Sequence, residues 1–188
     1  MSDVRLPVHG ISLYAEDVSG NTSPGFQGTR FVSARSGYLK LSDGERAELE
    51  GRTLLSLHSL TLSTEDQIGL RKSPFKEIED QVTRWAEHPL LYPEPRTGDM
   101  ILLYIPWYAH SISGFSPEES AAWFERLEEP LYGDESETYN HRWEQGDLVF
   151  WNNLALQHAK ESVEATPGPL LTRKLRRQAY GPEEPNLY

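Results

Sequence analysis

Residues 143–153 read Trp-Glu-Gln-Gly-Asp-Leu-Val-Phe-Trp-Asn-Asn, and His158 follows shortly after. Gly146-Asp147 is turn chemistry. The apolar and aromatic run behind it makes residues 147–151 a short strand. That strand ends on the polar pair Asn152-Asn153, and His158 falls just past the next turn. Further on, Arg173, Lys174, Arg176 and Arg177 crowd the stretch 170–180, which reads as a last strand with one charged face. If these segments neighbour one another in a barrel, an imidazole comes to the mouth and a guanidinium lies deeper inside. An imidazole can ligate a metal, and a guanidinium grips a carboxylate through two charge-assisted bonds. The same spacing also suits a surface histidine beside a solvated basic strand, and the residues alone leave both readings open.

Upstream, short strands dominate. Ile11–Ala15 reads as a buried strand, 19–28 as a Gly/Asn/Ser/Pro loop, and 29–34 as a second strand. Ser42 stands three residues before Glu45, a capping box that opens a short helix ending near Gly51. The stretch 53–62 alternates apolar and polar, the period of a half-buried strand. Phe75, Ile78, Val82 and Trp85 fall at helical spacing after the break at Pro74. Pro89–Gly98 is extended and ends in a turn, and Met100–Ile105 is a short buried strand. Ser116, Pro117 and Glu119 form a second capping box, whose helix runs to about Glu129 and buries Trp123, Phe124 and Leu127. The fold class expected is mainly β with a helical insertion around residues 65–130, in a single domain spanning 1–188.

Composition narrows the function. The 188 residues carry 18 Lys plus Arg against 29 Asp plus Glu, a formal charge of -11. That disfavours a basic groove for nucleic acid and docking on anionic lipid. With no cysteine there are no disulfides, thiol nucleophiles or thiolate metal sites, so a metal must be held by His nitrogen and carboxylate oxygen. No run reaches the ~18 apolar residues of a membrane span, and 1–7 lacks the pattern of a signal peptide. A cytoplasmic location, a small-molecule substrate, and neither nucleic acid nor membrane as partner are expected. HExxH, GxSxG, the P-loop and the dinucleotide fingerprint are all missing.

Short motifs in a fixed order resemble one family. His88-Pro89-Leu90-Leu91, then Pro95-Arg96-Thr97-Gly98, then Leu103-Tyr104 are similar to its HPL…HPxTG…LY pattern. The likeness continues through Ile112–Phe115, Glu118–Ser120, Trp143 with Gly146-Asp147, Trp151 with Asn153, and His158. Upstream, Leu13-Tyr14-Ala15, Gly28-Thr29 and Phe31-Val32-Ser33 also fit. The family is the taurine dioxygenase-like (TauD/TfdA) group of Fe(II)- and 2-oxoglutarate-dependent oxygenases. The resemblance implies a double-stranded β-helix (jelly-roll, cupin-like). It implies Fe(II) and the cosubstrate 2-oxoglutarate as cofactors, and hydroxylation of a small organic substrate. It makes His158 the distal iron ligand. By the same resemblance Arg173 is expected to pair with the far carboxylate of 2-oxoglutarate, and Thr29 to contact the same cosubstrate. Arg177 lies near the cosubstrate or an anionic substrate, and Trp151 is packing.

Three departures stand against the pattern. WDN has become WNN with Asn152, the second HP is represented by Tyr92-Pro93, and the His-x-Asp iron pair is missing. That pair is expected at or just before Met1; His9 and Asp3 do not supply it. Since Fe(II) in this class needs two histidines and a carboxylate on one face, His158 alone should bind it poorly. Either the chain is an N-terminally truncated member, comprising the C-terminal two-thirds of the domain, or it is a degenerate, non-catalytic barrel acting as a binding or partner subunit. The retained Thr29, Arg173 and His158 favour truncation. An incomplete barrel should leave apolar faces and a strand edge uncovered, with self-association as the consequence.

Overall fold

The computed structural model describes residues 8–18, 28–58, 64–82, 84–160 and 174–181. Arg173 and most of the 19–28 loop therefore lie outside the described residues. The fold is mainly β with few helices. Strand β1 (Gly10–Asp17) sits between β9 (Leu148–Asn152) and β11 (Lys174–Tyr180), both antiparallel to it. A second sheet has the order β10 (Leu156–Lys160), β2 (Thr29–Ser33), β8 (Tyr139–His141). The turn 153–155 carries the chain from β9 in the first sheet to β10 in the second.

Side chains alternate across a strand, so register decides which residues meet. Ile11 pairs with Trp151 and Ala179, and Leu13 with Val149 and Arg177. On the second sheet Phe31 pairs with His158 and Tyr139. Ile11, Trp151, Phe31 and Val8 join in one buried cluster, with Leu13, Val149, Leu156 and Ala179 packed on it. The two sheets thus face each other across these rows. The turn feeding β9 is fastened to β1: Ala15 N–H donates to the Asp147 carbonyl at 2.8 Å and Gly146 N–H to the Ala15 carbonyl at 3.1 Å. Gly146 has φ +89°, a conformation open to glycine at no steric cost.

A third sheet, β4 (Arg84–Pro89), β3 (Thr53–His58) and β7 (Ala109–Ile112), and the hairpin β5 (Leu91–Pro93)–β6 (Met100–Leu102) support the helices. Both capping boxes form. Ser42 caps α2 (Asp43–Leu49), and Ser116 caps α5 (Pro117–Tyr132). Along α5, Ser120, Trp123, Phe124, Leu127 and Leu131 are buried, a stripe at 3–4-residue spacing. The four apolar ones pack with Leu54, Leu90, Leu102, Tyr104 and Ile112 into the largest apolar cluster among the described residues. Truncating one such leucine, Leu127 for instance, should cost about 2–5 kcal/mol.

Several expectations change. The segment 65–130 is no helical insertion, because strands β4 to β7 lie within it. The helical spacing from Phe75 to Trp85 stops early: α4 is only Phe75–Ile78, and Trp85 pairs with Leu57 in the β3–β4 ladder. Backbone pairing to β3 overrides a four-residue apolar pattern, which is too short to fix a period. Helix α5 runs past Glu129 through Pro130, which lacks the N–H that would bond the Arg126 carbonyl. The strand expected over Met100–Ile105 is shorter, ending at Leu102. Helix α1 (Ala34–Lys40), capped by Ser33, and strand β7 were not expected from sequence. The basic strand has two charged faces. Lys174 and Arg176 pair with Glu16 on the outer face, while Arg177 shares the inward row of Leu13. Among the described residues no helix is long and apolar enough to cross a membrane.

Candidate functional site

His158 stands on the inward face of β10 where the core between the sheets opens into a cavity of about 630 Å³. Its ring lies 4.8 Å from that of Trp151 and 6.2 Å from that of Phe31, centroid to centroid. Phe31 and Trp151 meet edge-on at 5.1 Å. The imidazole is exposed toward the cavity and walled by aromatic rings behind. Partial desolvation, and secondly the charge of Arg177, lower its pKa to about 4. At neutral pH the ring is therefore unprotonated, the form that offers a lone pair to a metal.

Arg177 reaches the same cavity from the facing sheet, on the β11 row opposite Leu13. Burial at the wall lowers its pKa somewhat, and it stays a cation at any physiological pH. Tyr108, His88 and Asn153 also line the cavity, as do the carboxylates Glu128 and Glu135. Burial raises the Tyr108 pKa, while Arg177 pulls it the other way. His88 is 2% exposed, with Nδ1 donating to the Pro89 carbonyl at 3.0 Å and Nε2 facing the Ser56 hydroxyl at 3.2 Å. His110 is engaged elsewhere, at the Leu70 and Ser73 carbonyls.

Thr29 takes a different place. It is 3% exposed, and its Oγ1 accepts from the Trp143 indole N–H at 3.0 Å. It shares the inward face of its sheet with Phe31 but is not among the cavity-lining residues. The structure therefore brings His158 and Arg177 together, sets Thr29 behind them, and leaves Arg173 outside the described residues. Asp147 does not face the cavity. Its Oδ2 accepts from His141 Nε2 at 3.0 Å and from the Glu144 N–H at 2.9 Å, closing the turn before β9.

Sequence reasoning missed Tyr108, which carries no motif, and Glu94, which does. Counting back from Gly98, the histidine position of HPxTG is Glu94, so the departure does not fall at Tyr92-Pro93. Glu94 is 3% exposed and accepts from Asn152 Nδ2 at 2.9 Å. The two departures from the family pattern thus touch each other.

Among the described residues no three His, Cys, Asp or Glu side chains gather closely enough to hold a metal ion. His158 is a suitable single ligand, but the described residues do not by themselves fit an iron centre, which needs a second nitrogen and an anionic oxygen.

Comparison with known proteins identifies the lineage. Residues 6–178 match the family described as taurine catabolism dioxygenase TauD, TfdA family. The (S)-phenoxypropionate/alpha-ketoglutarate-dioxygenase of Sphingobium herbicidovorans is 31% identical over 157 residues, 78% of this chain and 49% of that protein. The chain thus spans about half the length of that curated relative. A taurine dioxygenase from Burkholderia xenovorans superposes with a TM-score of 0.68 at 26% identity, over 93% of this chain and 52% of that one. AAD-2, solved with Mn(II) and N-oxalylglycine, shares the fold at a TM-score of 0.71 and 24% identity, over 97% of this chain and 67% of that one. With the family pattern matched over nearly its whole length, the chain belongs to the TauD/TfdA dioxygenase family.

Proposed function

We propose that the protein containing this chain is an Fe(II)- and 2-oxoglutarate-dependent oxygenase, with residues 1–188 one domain of a double-stranded β-helix. In this reading a C–H bond of a small organic substrate is hydroxylated while 2-oxoglutarate and O₂ yield succinate and CO₂. The observation that carries it is the placement of neutral His158 and cationic Arg177 on facing walls of one cavity. His158 would supply one nitrogen ligand to the iron. Arg177 attracts an anion, either the cosubstrate or an anionic substrate. A cavity of about 630 Å³ suits a small molecule of that kind. The Thr29 hydroxyl accepts from the Trp143 indole behind the cavity, and its contact with 2-oxoglutarate is a role carried over from the family pattern. Arg173 pairs with the far carboxylate of 2-oxoglutarate, a role carried over from the family pattern.

Calorimetric titration of the chain with 2-oxoglutarate in the presence of Mn(II) tests the reading, alongside a succinate assay with Fe(II) under air. Binding weakened about tenfold or more in Arg177→Ala, and partly kept in Arg177→Lys, is expected. Binding that is absent, or indifferent to Arg177, would overturn the assignment.

A further inference from the structure

Glu94 and Asn152 are far apart in sequence and adjacent in space, and neither reaches the cavity lining. The Glu94 carboxylate is nearly inaccessible to solvent, and every contact it makes is with a donor. Oε1 accepts from Asn152 Nδ2 at 2.9 Å; Oε2 accepts from the backbone N–H groups of Arg96 and Thr97 at 3.0 and 2.8 Å. Burial pushes its pKa up, but these donors together outweigh burial and hold it below the ordinary value. The other half of the Asn152 amide is equally committed. Its Oδ1 accepts from the N–H groups of Leu154 and Ala155 at 3.0 and 3.2 Å. Those are the turn residues between β9, which carries Trp151, and β10, which carries His158. Leu154, 1% exposed, packs with Ile101 and Leu103 just after the loop that Glu94 organises. The carboxylate therefore ties the 94–99 loop to the turn that sets the start of β10.

The chemistry of each position constrains the other. A carboxylate at 94 is matched by a donor at 152, and the Asn152 amide donates to Glu94 with one end while it accepts from the turn with the other. Aspartate at 152, the residue of the WDN pattern, would still accept from Leu154 and Ala155. Against Glu94 it would set two buried carboxylates in contact, a pairing that cannot stay doubly ionised without cost.

We propose that Glu94 and Asn152 are a matched acceptor–donor pair that positions His158, by fixing the 153–155 turn through which β9 hands the chain to β10. What His158 does once positioned rests on the oxygenase reading; the pair and its geometry stand without it.

The test uses Asn152→Asp, Glu94→Gln and the double variant, which exchanges donor and acceptor. Thermal melting is followed from pH 7.5 to 5, and the His158 ring nitrogens are followed by ¹⁵N NMR. Asn152→Asp should melt about 10 °C lower at pH 7.5 and recover part of that loss toward pH 5, as one carboxylate takes a proton. Its His158 resonances should move. In the double variant both the melting temperature and the His158 resonances should return toward wild type, since the amide introduced at 94 can donate to the carboxylate introduced at 152. A double variant no more stable than Asn152→Asp, an Asn152→Asp that melts like wild type at pH 7.5, or unmoved His158 resonances would each overturn the proposal. None of these readouts needs metal or turnover. Failure of the oxygenase reading therefore leaves this test intact, and failure here leaves 2-oxoglutarate binding untouched.

Discussion

The indole of Trp151 and the imidazole of His158 lie 4.8 Å apart with ring planes inclined at 60°, although they stand on strands of different sheets. Trp151 is 4% exposed and also meets Phe31 edge-on, so one side chain closes the core and backs the candidate ligand. Trp151→Ala should cost about 3–5 kcal/mol in urea unfolding, the range for a large buried aromatic. Trp151→Phe should retain more than half of that. An alanine variant within 1 kcal/mol of wild type (roughly the scatter of a surface change) would mean the two sheets are not held by this contact.

Thr29 accepts from the buried Trp143 indole, and a hydroxyl is the only group at that position able to do so. Thr29→Val preserves shape and removes the acceptor. It should destabilise by about 1–3 kcal/mol, whereas Thr29→Ser should stay close to wild type. Equal losses for Val and Ser in chemical denaturation would show that the methyl group, and not the oxygen, carries the effect.

Stability should depend on pH through His88. Burial, the largest influence, holds its pKa below the usual 6.5, against weaker opposing effects of the Pro89 carbonyl and the Glu87 charge. The folded protein keeps the ring neutral while the unfolded chain takes up a proton near pH 6.5. Unfolding free energy therefore falls as pH drops below about 6.5 and gains no slope from this group above it. His110, also lowered chiefly by burial, adds a slope of the same sign. His88→Gln should flatten the profile between pH 7 and 5 without abolishing it. A slope unchanged from wild type would remove His88 as its source.

On the outer face of the β11–β1–β9 sheet an apolar patch lies beside the Lys174–Glu16–Arg176 ion pairs. Leu148 is 67% exposed, Phe150 62% and Tyr180 47%, and Phe150 and Tyr180 touch at 5.4 Å. An exposed sheet face of this kind favours association. Sedimentation velocity should show concentration-dependent growth in size, reduced in the Leu148→Lys/Phe150→Lys variant. A single monomeric boundary at every concentration would exclude association through this face.

Much of the local structure was legible. The two capping boxes, the Gly146 turn and the strands at 11–15, 29–34 (observed to Ser33) and 147–151 rest on short-range rules that act over three or four residues. The family, too, could be read from motif order. The expected helix at Phe75–Trp85 failed because four apolar residues do not define a period against a competing ladder partner. Strand β7 was missed because Ala109-His110-Ser111-Ile112 has no β signature until β3 lies beside it.

The sequence by itself determined that this is a cysteine-free, acidic, β-rich chain of the TauD/TfdA family, with His158 and a basic strand in the order that family uses. Only the tertiary structure decided which of the described basic residues faces inward. Strand periodicity says that Lys174 and Arg176 share one face and Arg177 the other, but not which face is inward. That follows from pairing with the distant β1, at the other end of the chain, where Arg177 falls opposite the half-buried Leu13. The same holds for Glu94 and Asn152, two separate departures on paper. They become one hydrogen bond because packing Leu154 beside Ile101 and Leu103 brings their segments together, and a buried carboxylate must then find its donor.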